Sequence, residues 1–149
     1  MKKFHFQLDP LIKLREHREK MAQQAVAKAR RDVVAAEERM AELKEEQNRQ
    51  EAALAREVEG GISAQRFLLY TGYIGDTEFQ HIAETQRRNA LLKEERARRQ
   101  ELADKSVEKK ILENLKELKK DAYYKEMREE EQKSTDDMTV LRKARDINS

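Results

Sequence analysis

Cysteine and tryptophan are absent from the 149 residues, proline occurs once and glycine four times. Without cysteine there is no disulfide framework, no thiolate metal site and no cysteine nucleophile. Aromatic residues make up only 5% of the chain and apolar residues 38%. That is too little for a thick multilayer core, since globular domains carry about 45–50% apolar residues. No apolar run approaches the ~18 residues that cross a bilayer, and no signal-peptide segment opens the chain. The expected setting is therefore cytoplasmic.

What the chain does have is charge. Lysine, arginine, aspartate and glutamate form 42% of it, and the mean hydropathy is −1.05. Disordered chains combine such charge with abundant proline, glycine and serine. Here the bulk is Ala, Glu, Lys, Arg, Gln and Leu, which are strong helix formers. Long helices or a coiled coil follow. The 32 basic and 30 acidic residues nearly cancel, to +2, which is not a nucleic-acid-binding balance.

The few helix breakers divide the chain. Asp9-Pro10 reads as an N-cap followed by proline in the first helical position, and the next breaker is Gly60-Gly61. Helix one is predicted over about residues 10–58, the turn over 59–63. Apolar positions mark a stripe through Leu11, Leu14, Met21, Ala25, Ala29 and Val33. From Val33 strides of three and four run through Ala36, Met40, Leu43, Gln47 and Gln50 to Leu54, a heptad seam. The four-four stride Ala25–Ala29–Val33 reads as a stutter. After the turn, Ser63 is a second N-cap, with Ile62 and Phe67 placed as a hydrophobic staple. Helix two is predicted from about 64 to 127, its seam carried by Phe67, Tyr70, Ile74, Ile82, Leu91 or Leu92, Leu102, Val107, Ile111, Leu115, Leu118 and Ala122, and weakest over the charged stretch from Lys93 to Glu101. Residues 128–149 read as a mobile terminal segment, with a further cap between Ser134 and Asp137. Two such helices joined by a short turn fold back on each other. The predicted fold is all-α: a single domain, a long antiparallel two-helix coiled-coil hairpin in an elongated rod.

A hinge at Gly60-Gly61 pairs residue i with about residue 121 − i. Aromatic residues then collect at two places: Phe67, Tyr70, Tyr73 and Phe79 near the turn, and Phe4, Phe6, Tyr123 and Tyr124 near the termini. They either plug a tapering coil or form contact surfaces. Gly72 and Gly75 either admit a partner or mark a kink. Charge is banded, with net +6 over residues 1–31, −5 over 32–60 and +4 over 87–100. The pairing rule brings Lys28, Arg30 and Arg31 beside Arg87, Arg88, Arg96, Arg98 and Arg99. This basic girdle reads as a site for an acidic partner or as solvated positions. Three scattered histidines and solvated glutamate runs offer no catalytic or metal-ligating arrangement, so neither enzyme activity nor a cofactor is expected.

The turn region, Gly60-Gly61-Ile62-Ser63-Ala64 with Phe67-Leu68-Leu69-Tyr70 and Tyr73-Ile74, resembles that of the FliJ family. The opening Phe4-His5-Phe6-Gln7-Leu8-Asp9-Pro10-Leu11 with Leu14-Arg15 resembles it too. That family is the small soluble component of the bacterial flagellar type III export apparatus. The resemblance implies a coiled coil similar to the central stalk of rotary ATPases, which binds the hexameric export ATPase and promotes its ring assembly. It also implies contact with the export gate's membrane protein and handling of export chaperones, at the cytoplasmic face of the inner membrane. A gate-contacting tip would include Leu43, Gln50, Phe67, Tyr70, Tyr73 and Ile74. The end in the ATPase ring would carry Phe4, Phe6, Leu11, Leu14, Leu115, Leu118 and Tyr123. A generic coiled-coil adaptor or the equivalent stalk of a virulence type III secretion system is the alternative. A third reading is a nucleic-acid or membrane-surface binder using Lys2, Lys3, Lys13, Arg15, Arg18 and Lys20.

Overall fold

The computed structural model describes residues 2–148, and in these the chain forms two helices. Helix α1 spans Asp9–Glu59 and α2 spans Ala64–Ile147. By contacts the chain divides into two units, one of Lys20–Ala103 and one joining the residues up to Glu19 with those from Asp104 on. In each unit the two helices lie antiparallel: from Arg30–Glu95 to Glu37–Arg88 in the first, and from Asp9–Lys116 to Glu19–Lys109 in the second, the partner numbers fall as the α1 numbers rise.

The ends of the helices follow the punctuation closely. At the start of α1 the Leu8 carbonyl accepts from the amide of Ile12 at 3.0 Å. Asp9 is therefore the first residue of the helix and not its cap, with Pro10 second; its carboxylate accepts instead from Lys116 Nζ at 2.8 Å across the pair. Gly61, at φ 83°, is the one described residue with positive φ and ends α1. An L side chain there meets a steric penalty. Ser63 Oγ accepts from the amide of Arg66 at 3.2 Å, the expected N-cap of α2.

Helix α2 departs from expectation at its far end. It continues past Met127 to Ile147, so Ser134–Asp137 is helix interior and not a cap. No proline or glycine stops it. The hydroxyls of Thr135 and Thr139 donate to the carbonyls of Glu131 and Thr135, each at 2.9 Å within the helix. All of residues 128–148 are exposed.

Burial shows where the helices meet. On α1 the inward positions run Ile12, Arg15, Glu19, Ala22, Val26, Ala29 and Val33, then through the predicted seam to Leu54 and Glu57. Their strides alternate three and four throughout, so the stutter expected at Ala25 is absent. On α2 the inward series is Tyr70, Ile74, Thr77, His81, Glu84, Arg88, Leu91, Glu95, Arg98, Leu102, Lys105, Lys109, Leu112 and Lys116, again in heptads. Several predicted seam residues are instead exposed: Ile82, Val107, Ile111 and Leu118 at 50, 57, 59 and 69%, and Leu14 and Met21 at 43 and 53%. The cause is chemical. The seam passes through charged residues whose aliphatic stems cover the partner helix while their heads reach the edges, and a pattern built from apolar letters alone is out of phase with it.

The register differs as well. Asp9–Lys116, Arg30–Glu95 and Glu37–Arg88 each have residue numbers that sum to 125, not 121. The reversal is centred between Ile62 and Ser63, beyond the glycine pair, because Gly60 and Gly61 close α1 through bonds to the Arg56 and Val58 carbonyls.

The two alternative phases of α2 predict different stabilities. Replacing Leu112, which is 5% exposed, by alanine is expected to destabilise the protein by about 2–4 kcal/mol. The same change at Leu118 is expected to cost no more than about 0.5 kcal/mol. Urea denaturation followed by circular dichroism distinguishes them.

Candidate partner-binding surfaces

At the turn, a charged clamp joins the helices. Arg66 Nε and Nη2 donate to the two oxygens of the Glu57 carboxylate, each at 2.6 Å. The Tyr70 hydroxyl donates to Glu57 Oε1 at 2.9 Å. This two-pronged arrangement orients the carboxylate as well as pairing its charge. The Arg66 hydrogen bonds, then that from Tyr70, hold the Glu57 carboxyl below its ordinary range, and Glu57 raises Arg66 in turn. One heptad further on, Thr77 Oγ1 lies 3.1 Å from Gln50 Oε1 and 2.9 Å from the Tyr73 carbonyl. Gln50 Nε2 donates to Glu46 Oε1 at 3.2 Å.

The six residues predicted for the tip surface therefore separate. Leu43 is in the core, and Tyr70, Ile74 and Gln50 are half-buried, with Tyr70 and Gln50 engaged across the pair. Phe67 and Tyr73 face outward. Tyr73 is joined by residues that were not singled out from the sequence: Leu68 and Leu69 are 68 and 62% exposed. Leu69, Tyr70 and Tyr73 line one shallow cleft with Ser63 and Arg66; Leu68, Leu69, Gly72 and Tyr73 line another with Asp76. A Cβ built on Gly72 or Gly75 meets nothing within 4 Å, and α2 passes through both as one helix. Packing within the chain thus gives no reason for either glycine. The signal for this pad was present in the sequence as adjacent leucines, but an apolar pair reads as core until the phase of the seam is known.

The terminal unit is built on Phe6, Ile12 and Leu112, with Phe4, Leu11 and Leu115 packed against them. Phe4 stacks on Phe6 at 6.5 Å between centroids and meets Tyr123 at 5.6 Å; Tyr123 meets Tyr124 edge-on at 5.4 Å. The Tyr123 hydroxyl donates to the Lys2 carbonyl at 2.8 Å. Of the predicted terminal set, Phe4, Phe6, Leu11, Leu115 and Tyr123 belong to this assembly, and Leu14 and Leu118 face outward. Ile12 and Leu112 were missed, being neighbours of more conspicuous leucine and isoleucine residues. Nearby, Lys109 Nζ donates to Glu19 Oε1 at 2.9 Å. That bond, and then Ser106, lowers the Glu19 carboxyl, while Glu19 raises Lys109.

The basic girdle is largely neutralised by the chain itself. Arg30 and Arg99 both reach Glu95, at 3.5 and 2.8 Å, and that carboxylate residue is only 5% exposed. Arg88 reaches Glu37 at 4.0 Å, and Arg98 lies between Glu94 and Glu101. Lys28 pairs with Asp32, and Arg87 with Glu84. The expected confrontation of like charges does not occur, because the register places Glu95, not an arginine, opposite Arg30. Arg31 and Arg96 have no such partner among the described residues. Among the described residues there is also no cluster of His, Asp and Glu arranged to hold a metal, and no helix long and apolar enough to cross a membrane.

Comparison with known proteins gives two likenesses. The family model described as flagellar FliJ protein matches residues 4–146. The solved structure of a Chlamydia trachomatis protein described as a YscO homologue superposes with a TM-score of 0.61. It is 21% identical and covers 93% of this chain and 94% of its own, a likeness of fold. None of the curated proteins compared with the chain is a match.

The clamp at the turn makes the tip sensitive to acid. A carboxyl with a lowered folded-state value contributes stability above its unfolded value, about 4.3 for glutamate, and loses it as the pH falls through the lowered value. Hydrogen-exchange protection of the amides at Arg66–Tyr70 is expected to hold from neutrality to about pH 5 and to fall below the ordinary glutamate value. In Glu57→Gln it is expected to be lower at neutral pH and to lose that acid-side dependence.

Proposed function

We propose, from the premise that the chain belongs to the flagellar FliJ protein family, that it is the stalk-like component of a flagellar type III export apparatus. In this reading it binds the hexameric export ATPase through its terminal unit and promotes assembly and activity of the ring. The pad near the turn meets the export gate, and export chaperones are handled by the same exposed helical surfaces. The protein works by binding, at the cytoplasmic face of the membrane, without a cofactor.

The observation that carries the proposal is the family match across residues 4–146 on a chain whose two helices pair antiparallel in each unit. The arrangement of surfaces supports it. The charged and apolar seam is used up in pairing α1 with α2, whereas Leu68, Leu69 and Tyr73 remain outside it. Exposed apolar residues clustered on one helix face favour a protein partner, and large aromatic anchors supply a disproportionate share of binding energy. Two glycines on the same stretch cost the helix up to about 1 kcal/mol each relative to alanine, a cost that close approach of a partner backbone offsets.

The purified chain is expected to bind the cognate export ATPase and raise its rate of hydrolysis; absence of both effects overturns the ATPase role. The double change Leu69→Ala with Tyr73→Ala is expected to weaken gate binding by about tenfold or more, equivalent to at least about 1.4 kcal/mol. Helicity and thermal unfolding should be nearly unchanged. A large loss of helicity would instead place these two side chains in the core.

A further inference from the structure

We infer that Arg30, Glu37, Arg88 and Glu95 form a two-way lock on the register of the helix pair in the unit Lys20–Ala103. In the observed register Arg30 faces Glu95 and Glu37 faces Arg88, at 3.5 and 4.0 Å. A seam with a heptad repeat is, in its apolar part, nearly indifferent to a slip of seven residues, because the same stripe faces the partner afterwards. Such a slip needs only that the reversal move by half a heptad, about one helical turn, into α1 or into α2. The turn alone is a weak barrier, with a single left-handed glycine and, apart from half-buried Ile62, exposed residues around it.

The four charged residues distinguish these otherwise similar states. Sliding the helices by one heptad in one direction pairs residues whose numbers sum to 118, and Arg30 then faces Arg88. Sliding them the other way gives a sum of 132, and Glu37 then faces Glu95. Each direction therefore replaces an attraction by a repulsion, using the same four side chains. The seam site is where this matters most, because Glu95 is only 5% exposed and solvent screens a buried like-charge contact poorly. Polar groups in a coiled-coil seam are best attested as register-setting devices. Here the device is bidirectional, and Arg99, 2.8 Å from Glu95 on its own helix, keeps the central carboxylate paired.

The absence of native cysteine makes the register directly measurable by disulfide trapping. Val33→Cys with Leu92→Cys, and Met40→Cys with Thr85→Cys, report the observed register, both sums being 125. Val33→Cys with Thr85→Cys reports the 118 register, and Met40→Cys with Leu92→Cys the 132 register. Val33 is buried and Met40, Thr85 and Leu92 are half-buried, the last two directly beside the inward positions Glu84 and Leu91, so each pair lies close enough across the helices for a bridge to test. In the otherwise native chain only the first two pairs are expected to cross-link. Adding Arg30→Glu is expected to turn the 118 bridge from background into a major product. Adding Glu37→Arg is expected to do the same for the 132 bridge. If both variants still give the observed-register bridges alone, the turn sets the register and the lock is refuted. If a single reversal unfolds the helices, Arg30→Glu combined with Glu95→Arg decides. Recovery of the Val33–Leu92 bridge supports the pairing, and failure to recover it overturns it.

Discussion

Everything else in this protein depends on one constraint: two helices, each with a narrow inward stripe, have only each other to cover it. A two-helix layer has no third element to complete its core, so each inward position counts and a change of phase by one residue alters which side chains meet. The chain satisfies the constraint with few large apolar groups. Ile12, Ala29, Val33, Ala36 and Leu43 form the buried part of α1, and small alanines let the helices approach closely. Elsewhere along the seam, long charged side chains do the covering and finish in ion pairs at its edges.

This explains what was legible in the sequence and what was not. Proline, glycine and serine act through backbone geometry that is local, so Pro10, Gly61 and Ser63 delimited the helices correctly, and the antiparallel hairpin followed. The heptad from Val33 to Leu54 was also readable, because two glutamines were accepted as seam members. In α2 the seam passes through Glu84, Arg88, Glu95, Arg98, Lys105, Lys109 and Lys116. No rule based on hydrophobicity assigns those residues inward. Apolar spacing points instead to Ile82 and Ile111, one position off the seam, and to Val107 and Leu118, two positions off. The register was similarly misplaced by about four residues, since a glycine pair marks where a helix ends and not where the chain turns about its midpoint.

The correction of phase also changes which residues can meet a partner. Leu43 and Gln50 are occupied by the hairpin itself, while Leu68 and Leu69 are left outside. The same correction turns the basic girdle from an accumulation of repelling cations into a set of pairs around Glu95 and Glu37. Net charge per segment was a true description of the sequence, but the relevant quantity is which charges stand opposite each other, and only the register determines that.

The non-helical residues ahead of α1 have a consequence of their own. A residue in an extended chain advances about 3.3 Å, whereas one in a helix advances 1.5 Å. The segment from Lys2 to Phe6, ahead of the turn at Gln7 and Leu8, can therefore span more of α2 than a helix of equal length. Continued as a helix in the same register, α1 would bring Lys2 level with Tyr123, which Phe4 and the Lys2 carbonyl do meet; the unwound segment also sets Lys2 and Lys3 beside Met127, about one turn further along α2. A handful of unwound residues thus shelters about one turn of α2 beyond the point that a helical start would reach, and the proline in the first turn of α1 marks where the chain changes from long reach per residue to short.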